Sequence, residues 1–134
     1  LKVKVAKARE KGLEMTVKAF VPKRMSISSG DMGIIYGNLI DNAIGACMKV
    51  QEGNRFVDVE TKYQDEKLLI AVCNSKSMES NPTFATTKEN KRKHGRGIRS
   101  VRRVAEQYGG NLLLEDEGGT FKASLLLTNI EHLE

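Results

Sequence analysis

The sequence predicts an α+β fold: a two-layer α/β sandwich in which a mixed sheet of about five strands carries about three helices on one face. Three observations predict it. Apolar and polar residues alternate over several short stretches, as half-buried strands require. Two pairs of these stretches are separated by short polar turns, Gln64-Asp65-Glu66-Lys67 and Asp116-Glu117-Gly118-Gly119, which join them as hairpins. Between them, longer segments repeat their apolar residues at helical spacing. Hairpins make the sheet mixed or mainly antiparallel, and helices on one face bury its apolar side.

The elements follow in order. Residues 1–10 are rich in Lys and Ala and read as the tail of a helix, which Lys11-Gly12 ends. From Leu13 to Val21, Leu13, Met15, Val17 and Ala19 alternate with Glu14, Thr16, Lys18 and Phe20, so a strand is expected with the first set inward, stopped by Pro22. Ser26 to Gly30 is a turn, and Ser28 followed by Asp31 is a capping-box-like start for a helix from Asp31 to Val50. Ile35, Leu39, Ala43, Ala46 and Val50 form its core face. Asn38, Asp41 and Asn42 stand at i, i+3 and i+4 along the edge of that face.

After a loop at Gln51 to Asn54, strands are expected from Arg55 to Tyr63 and from Leu68 to Cys73, with Asn74 directly after the second. Ser75 to Lys93 shows no period, and loops of this length are often functional lids. Phe84 is the apolar residue that would pin such a lid to the body. Gly95-Arg96-Gly97 opens the next helix, with Ile98, Val101, Ala105 and Tyr108 inward and Gly109-Gly110 at its end. Strands from Asn111 to Leu114 and from Thr120 to Thr128 make the last hairpin, and Ile130 to Glu134 reads as a tail.

The chain's 134 residues fit one domain, and 40% hydrophobic with 29% charged residues is the composition of a globular one. No apolar run approaches a membrane span and no signal peptide is visible. The chain starts at Leu1 rather than Met, so it reads as a piece of a longer protein. The net charge of +5 permits nucleic-acid binding, but the basic residues bunch at Lys88, Lys91, Arg92, Lys93, Arg96, Arg99, Arg102 and Arg103 beside a glycine pair, without interleaved aromatics. That placement suits a small phosphorylated ligand at least as well. Cys47 and Cys73 lie in apolar settings that suit buried thiols rather than a disulfide, and no Cys/His cluster suggests zinc.

Three motifs carry chemistry. The oxygen donors of Asn38, Asp41 and Asn42, one helical turn apart, suit a hard cation such as Mg²⁺ together with phosphate oxygens, and equally suit an ordinary solvated helix face. In His94-Gly95-Arg96-Gly97-Ile98, glycines at a helix start let a phosphate approach the backbone amides and the positive end of the helix dipole; a loop that merely ends in a helix reads the same way. Asn74 beside apolar walls is able to bond a purine edge, or is an ordinary turn Asn.

Taken together and in this order, the motifs resemble the ATP-binding domain of the gyrase, Hsp90, histidine kinase and MutL superfamily, the Bergerat fold. Gly37-Asn38-Leu39-Ile40-Asp41-Asn42-Ala43, Thr86-Thr87-Lys88 and Lys93-His94-Gly95-Arg96-Gly97-Ile98 look most like sensor histidine kinases of the peptide-quorum-sensing type. The resemblance implies an end of a dimerisation helix at 1–10, an ATP-binding catalytic domain at 11–134, and ATP and Mg²⁺ as cofactors. It implies transfer of the γ-phosphate to a histidine on the protein's own dimerisation domain, with a response regulator as a further partner. The whole would be a membrane-anchored homodimer whose catalytic domain is cytoplasmic. By position, Asn42 would bind the Mg²⁺, and Asn38 and Asp41 would support the phosphates. Asn38 is the catalytic position where ATP-hydrolysing relatives have a Glu base, and its amide cannot serve as one. Asn74 would accept from the adenine amino group, and Lys88, His94, Gly95, Arg96, Gly97 and Ile98 complete the nucleotide-binding set.

There are departures: Gly45 stands where many kinases have a Lys, and Asn74-Ser75-Lys76-Ser77 lacks the glycine usual after the adenine-binding position. They leave open a degenerate domain acting as an interaction module. A serine kinase of the anti-sigma-factor type has the same fold. His94 and His132 do not sit in a two-helix hairpin, so neither is expected to be the phosphorylated residue.

Overall fold

A computed structural model describes the backbone of residues 2–78 and 88–133 and the side chains of 4–78 and 97–133. In chain order the elements are α1 (Lys2–Glu10), β1 (Glu14–Phe20), α2 (Ser29–Cys47), β2 (Phe56–Gln64), β3 (Lys67–Ser75), α3 (Lys88–Gln107), β4 (Asn111–Asp116) and β5 (Thr120–Leu127). The strands form one sheet in the order β1-β2-β3-β5-β4. β1 pairs with β2 in parallel, and the remaining neighbours are antiparallel. The expected two-layer sandwich with a mixed sheet is therefore what the chain forms.

One core joins the layers. Ile35, Leu39 and Ile40 of α2 and Val101 and Ala105 of α3 pack on Val57, Val59, Leu68, Ile70, Val72 and Leu125, all buried. In β2, β3 and β5 buried residues alternate with more exposed ones, because one face meets helices and the other does not. Ser28 caps α2, its side chain accepting from Asp31 N at 3.1 Å. Tyr108 Oη donates to Asp31 Oδ2 at 2.6 Å, tying the end of α3 to the start of α2.

Five expectations need correction. First, α2 ends at Cys47 rather than Val50: Lys49 N and Val50 N donate three residues back, to Ala46 O at 3.3 Å and Cys47 O at 2.9 Å, and Arg55 Nε donates to Val50 O at 2.8 Å. Second, Asn74 lies inside β3, paired with Val57 and Phe121, rather than after the strand; pairing on both sides carries β3 through Asn74, and pairing with Thr120 extends it to Ser75. Third, α3 begins at Lys88, so Gly95 and Gly97 are interior rather than at its start. Residues 88–93 are mostly Lys, Glu and Arg, good helix formers without an apolar period.

Fourth, the alternation in β1 sends Leu13 and Met15 inward, but Val17 is 36% exposed, because β1 is an edge strand. Fifth, the C-terminal segment is docked. Ile130 is fully buried, its N–H donates to Glu66 O at 2.8 Å, and its carbonyl accepts from Tyr63 Oη at 2.8 Å. Met25 and His132 form a bridge beside it. The lid expected from Ser75 to Lys93 becomes helix from Lys88 onward; Phe84, Thr86 and Thr87 lie outside the described residues.

Candidate functional site

Between α2, α3 and the sheet lies a cavity whose walls are Leu39, Ala43, Val72, Ile98, Leu114, Phe121 and Ala123, with Asn42 and Asn74 as its polar residues. The helix puts Asn42 there because it follows the core-facing Leu39 and Ala43 around the same edge of α2. The sheet puts Asn74 there because β3 alternates, and Asn74 follows Ile70 and Val72 on the inner face.

Asn74 is 2% exposed. Its Nδ2 donates to Ser75 O at 3.0 Å, and its Oδ1 has no partner among the described residues. An unpaired buried amide oxygen is costly, so the cavity presents an acceptor that a donor-bearing ligand would satisfy. Asn42 is half-buried, and its side chain bonds no other described residue. Apolar walls with two convergent amides suit a flat, mostly apolar ring with a few polar edges.

Asn38 lies one turn before Asn42 on α2. Its Nδ2 donates back to Ile34 O at 2.8 Å. A Cβ added to the buried Gly97 would stand 2.8 Å from Asn38 Oδ1. A side chain at Gly97 would therefore press on the Asn38 amide where α3 crosses α2, which gives the small residue there a packing reason as well. Asp41 goes elsewhere: its Oδ1 pairs with Lys4 Nζ of α1 at 2.6 Å, with 62% of its side chain exposed. The structure therefore brings Asn42, Asn74 and Ile98 to one cavity, sets Asn38 against Gly97, and holds Asp41 toward α1. Lys88, His94, Gly95 and Arg96 lie on α3, and their side-chain surroundings lie outside the described residues.

Sequence reasoning missed the residues that support Asn74. Lys76, two positions on, has 3% of its side chain exposed and its Nζ lies 3.2 Å from Asp116 Oδ1. Nζ also donates to Gly118 O at 3.1 Å and Ser77 O at 3.2 Å. The signal available in the sequence was that Asn74-Ser75-Lys76-Ser77 carries a lysine and no glycine. The Gly118 amide, together with Lys76, holds the Asp116 carboxyl below its usual range. Ser75 Oγ accepts from Phe56 N at 3.0 Å and lies 3.3 Å from the buried Cys47 Sγ. Burial pushes the Cys47 thiol upward, as an inert packed cysteine should behave. Both cysteines are free thiols, as expected, although Cys73 is half-buried.

Among the described residues no three His, Cys, Asp or Glu side chains gather as a metal cage. Mg²⁺ needs none when phosphates and water supply most of its oxygens. The half-buried, unbonded amide of Asn42 fits that donor set.

The profile of the GHKL domain family matches residues 27–128. Sensor histidine kinase CitA of Klebsiella pneumoniae is 27% identical over 96% of this chain and 26% of its own length. Sensor histidine kinase DpiB of Escherichia coli is 28% identical over 84% of this chain and 22% of its own. The chain thus spans about a quarter of the length of these curated relatives. Among solved structures, full-length ShkA in complex with AMPPNP superimposes with a TM-score of 0.76 at 17% identity, covering 98% of this chain and 28% of that one. The nucleotide-free catalytic domain of histidine kinase ThkA superimposes with a TM-score of 0.70 at 15% identity, covering 96% and 87%. These likenesses establish the fold as that of histidine kinase catalytic domains.

Proposed function

The chain belongs to the GHKL domain family, and on that premise we propose that it binds Mg²⁺-ATP and passes the γ-phosphate to a histidine on a dimerisation domain of the same protein. The observation that carries the reading is the buried, unpaired Oδ1 of Asn74 in an apolar cavity shared with the unbonded Asn42. An adenine ring fills such a cavity, and its amino group donates to Asn74 Oδ1. The triphosphate then runs along α2 toward Asn42 and Asn38. Asn42 holds the Mg²⁺, which supplies charge neutralisation at the phosphates. Asn38 supports the phosphates as a donor and acceptor. It is not a base, so the site positions the γ-phosphate for a partner imidazole rather than activating water.

Lys88, His94, Gly95, Arg96, Gly97 and Ile98 complete the nucleotide site in this reading, and Asp41 contributes to the phosphate end of α2 on release from Lys4. Residues 1–10 end a dimerisation helix, with 11–134 as the catalytic domain. The two similar sensor histidine kinases support a response regulator as the downstream partner. The motifs around Asn38 and Gly97 favour the peptide-quorum-sensing type, in a membrane-anchored homodimer with this domain in the cytoplasm.

Calorimetric titration with Mg²⁺ and a non-hydrolysable ATP analogue tests the site. Binding that depends on Mg²⁺ and is lost in Asn42→Ala is the expected result. Absence of binding by the unaltered chain, or equal binding without Mg²⁺, would overturn the reading.

A further inference from the structure

A buried Asn accepts from a base only while its amide keeps one orientation, and the structure shows what holds it. Nδ2 of Asn74 donates to Ser75 O at 3.0 Å, which leaves Oδ1 as the unpaired atom of a side chain lining the cavity. Ser75 O belongs to the same planar peptide unit as the N–H of Lys76. That N–H donates to Gly119 O at 3.0 Å. The β3–β5 ladder ends at Ser75 and Thr120, and beyond it Lys76 carries the next bonds across. Its ammonium reaches Gly118 O at 3.1 Å and Asp116 Oδ1 at 3.2 Å in the β4–β5 turn. The turn is itself braced by Gly118 N donating to Asp116 Oδ1 at 3.0 Å. Only 3% of the Lys76 side chain is exposed, so these charge-assisted bonds act largely out of water.

We propose that Lys76 is a positioning residue for base recognition: by clamping the β4–β5 turn it fixes the 75–76 peptide, which keeps Asn74 presenting an acceptor. The pocket then takes a base with an exocyclic amino group over its oxo counterpart. The inference rests on the nucleotide reading above. With the ammonium gone, the 75–76 peptide keeps its N–H bond to Gly119 O and the Cys47 Sγ contact to Ser75 O at 3.3 Å, but the turn that carries Gly119 loosens, so the peptide tilts more readily and the Asn74 amide turns its NH₂ toward the ligand more often. An oxo base is then received as well as an amino base.

ADP and IDP differ at C6, amino against oxo, and at N1, which carries a proton only in IDP; the C6 group is the one that meets Asn74 in this reading, so the change of their affinity ratio between variants reports the amide's orientation. The experiment is titration of the chain with each nucleotide and Mg²⁺, in wild type, Lys76→Met and Asp116→Asn, with a thermal melt of each. Wild type should prefer ADP by about tenfold or more. In Lys76→Met the ratio should fall to within about threefold, mainly through weaker ADP binding. Asp116→Asn keeps the carbonyl acceptors for Lys76 and an oxygen for Gly118 N, so its ratio should lie between, and it decides the matter if Lys76→Met does not fold. A lower melting temperature with an unchanged ratio would assign Lys76 to stability alone and overturn the proposal, while leaving the nucleotide reading intact. Equal binding of both nucleotides by wild type would overturn the acceptor role of Asn74 and this proposal with it. Binding of neither would overturn both readings.

Discussion

Replacing Gly97 with Ala separates helix stability from site geometry. Gly97 lies inside α3, where Ala is better than Gly by about 1 kcal/mol in a helix interior. Against that gain, the new Cβ would stand 2.8 Å from Asn38 Oδ1. Asn38 must give way, but its Nδ2 is held by Ile34 O at 2.8 Å. Moving it breaks that bond, about 0.5–1.5 kcal/mol, and forces an off-rotamer side chain at about the same cost. The net change in stability is therefore between about zero and 2 kcal/mol of destabilisation, a melting shift of at most about ten degrees. If Asn38 meets the phosphates, its displacement removes a charge-assisted bond, and nucleotide affinity falls about ten- to a hundredfold. Thermal melting and calorimetric titration of the same Gly97→Ala sample measure both. A variant stabilised by the full helix increment, with affinity unchanged, would refute both the close contact and the role given to Asn38.

Further outcomes follow from the same structure. Ile130→Ala empties a fully buried site in the docked C-terminal segment and should cost about 2–4 kcal/mol in urea unfolding; a cost below about 0.5 kcal/mol would mean that the segment is a free tail. Lys4→Ala breaks an exposed pair with Asp41 and should cost less than about 1 kcal/mol, a loss that high salt erases. Burial raises the pKa of Tyr36, Cys47 and Cys73, and a hydrogen bond to Asp31 raises that of Tyr108. The native state keeps these protons after the unfolded chain has released them. Their stabilising effect is therefore complete below the ordinary thiol range and lost as pH rises through about 9 and beyond. A urea midpoint that climbed between neutral pH and that range would contradict the assignment.

Periodicity alone determined the two-layer architecture, the strand pairs around Asp65 and Gly118, and the core face of α2. These depend on local spacing, which a sequence displays directly. The resemblance of the motif order to a family pattern, rather than periodicity, put Asn42, Asn74 and Ile98 in one expected site. What the sequence could not supply were consequences of long-range pairing. The reach of β3 through Asn74 comes from partners on both sides, the exposure of Val17 from its place at the sheet edge, and the burial of Ile130 from contacts with residues of the β2–β3 hairpin. The start of α3 at Lys88 was hidden because a polar helix has no apolar period. Tertiary structure also decided why two residues are what they are. Gly97 is small because another helix's Asn38 lies against it, and Lys76 is buried because a turn more than forty residues away offers its ammonium acceptors. Neither reason is a property of the local sequence, since each partner arrives from a different element only when the layers close.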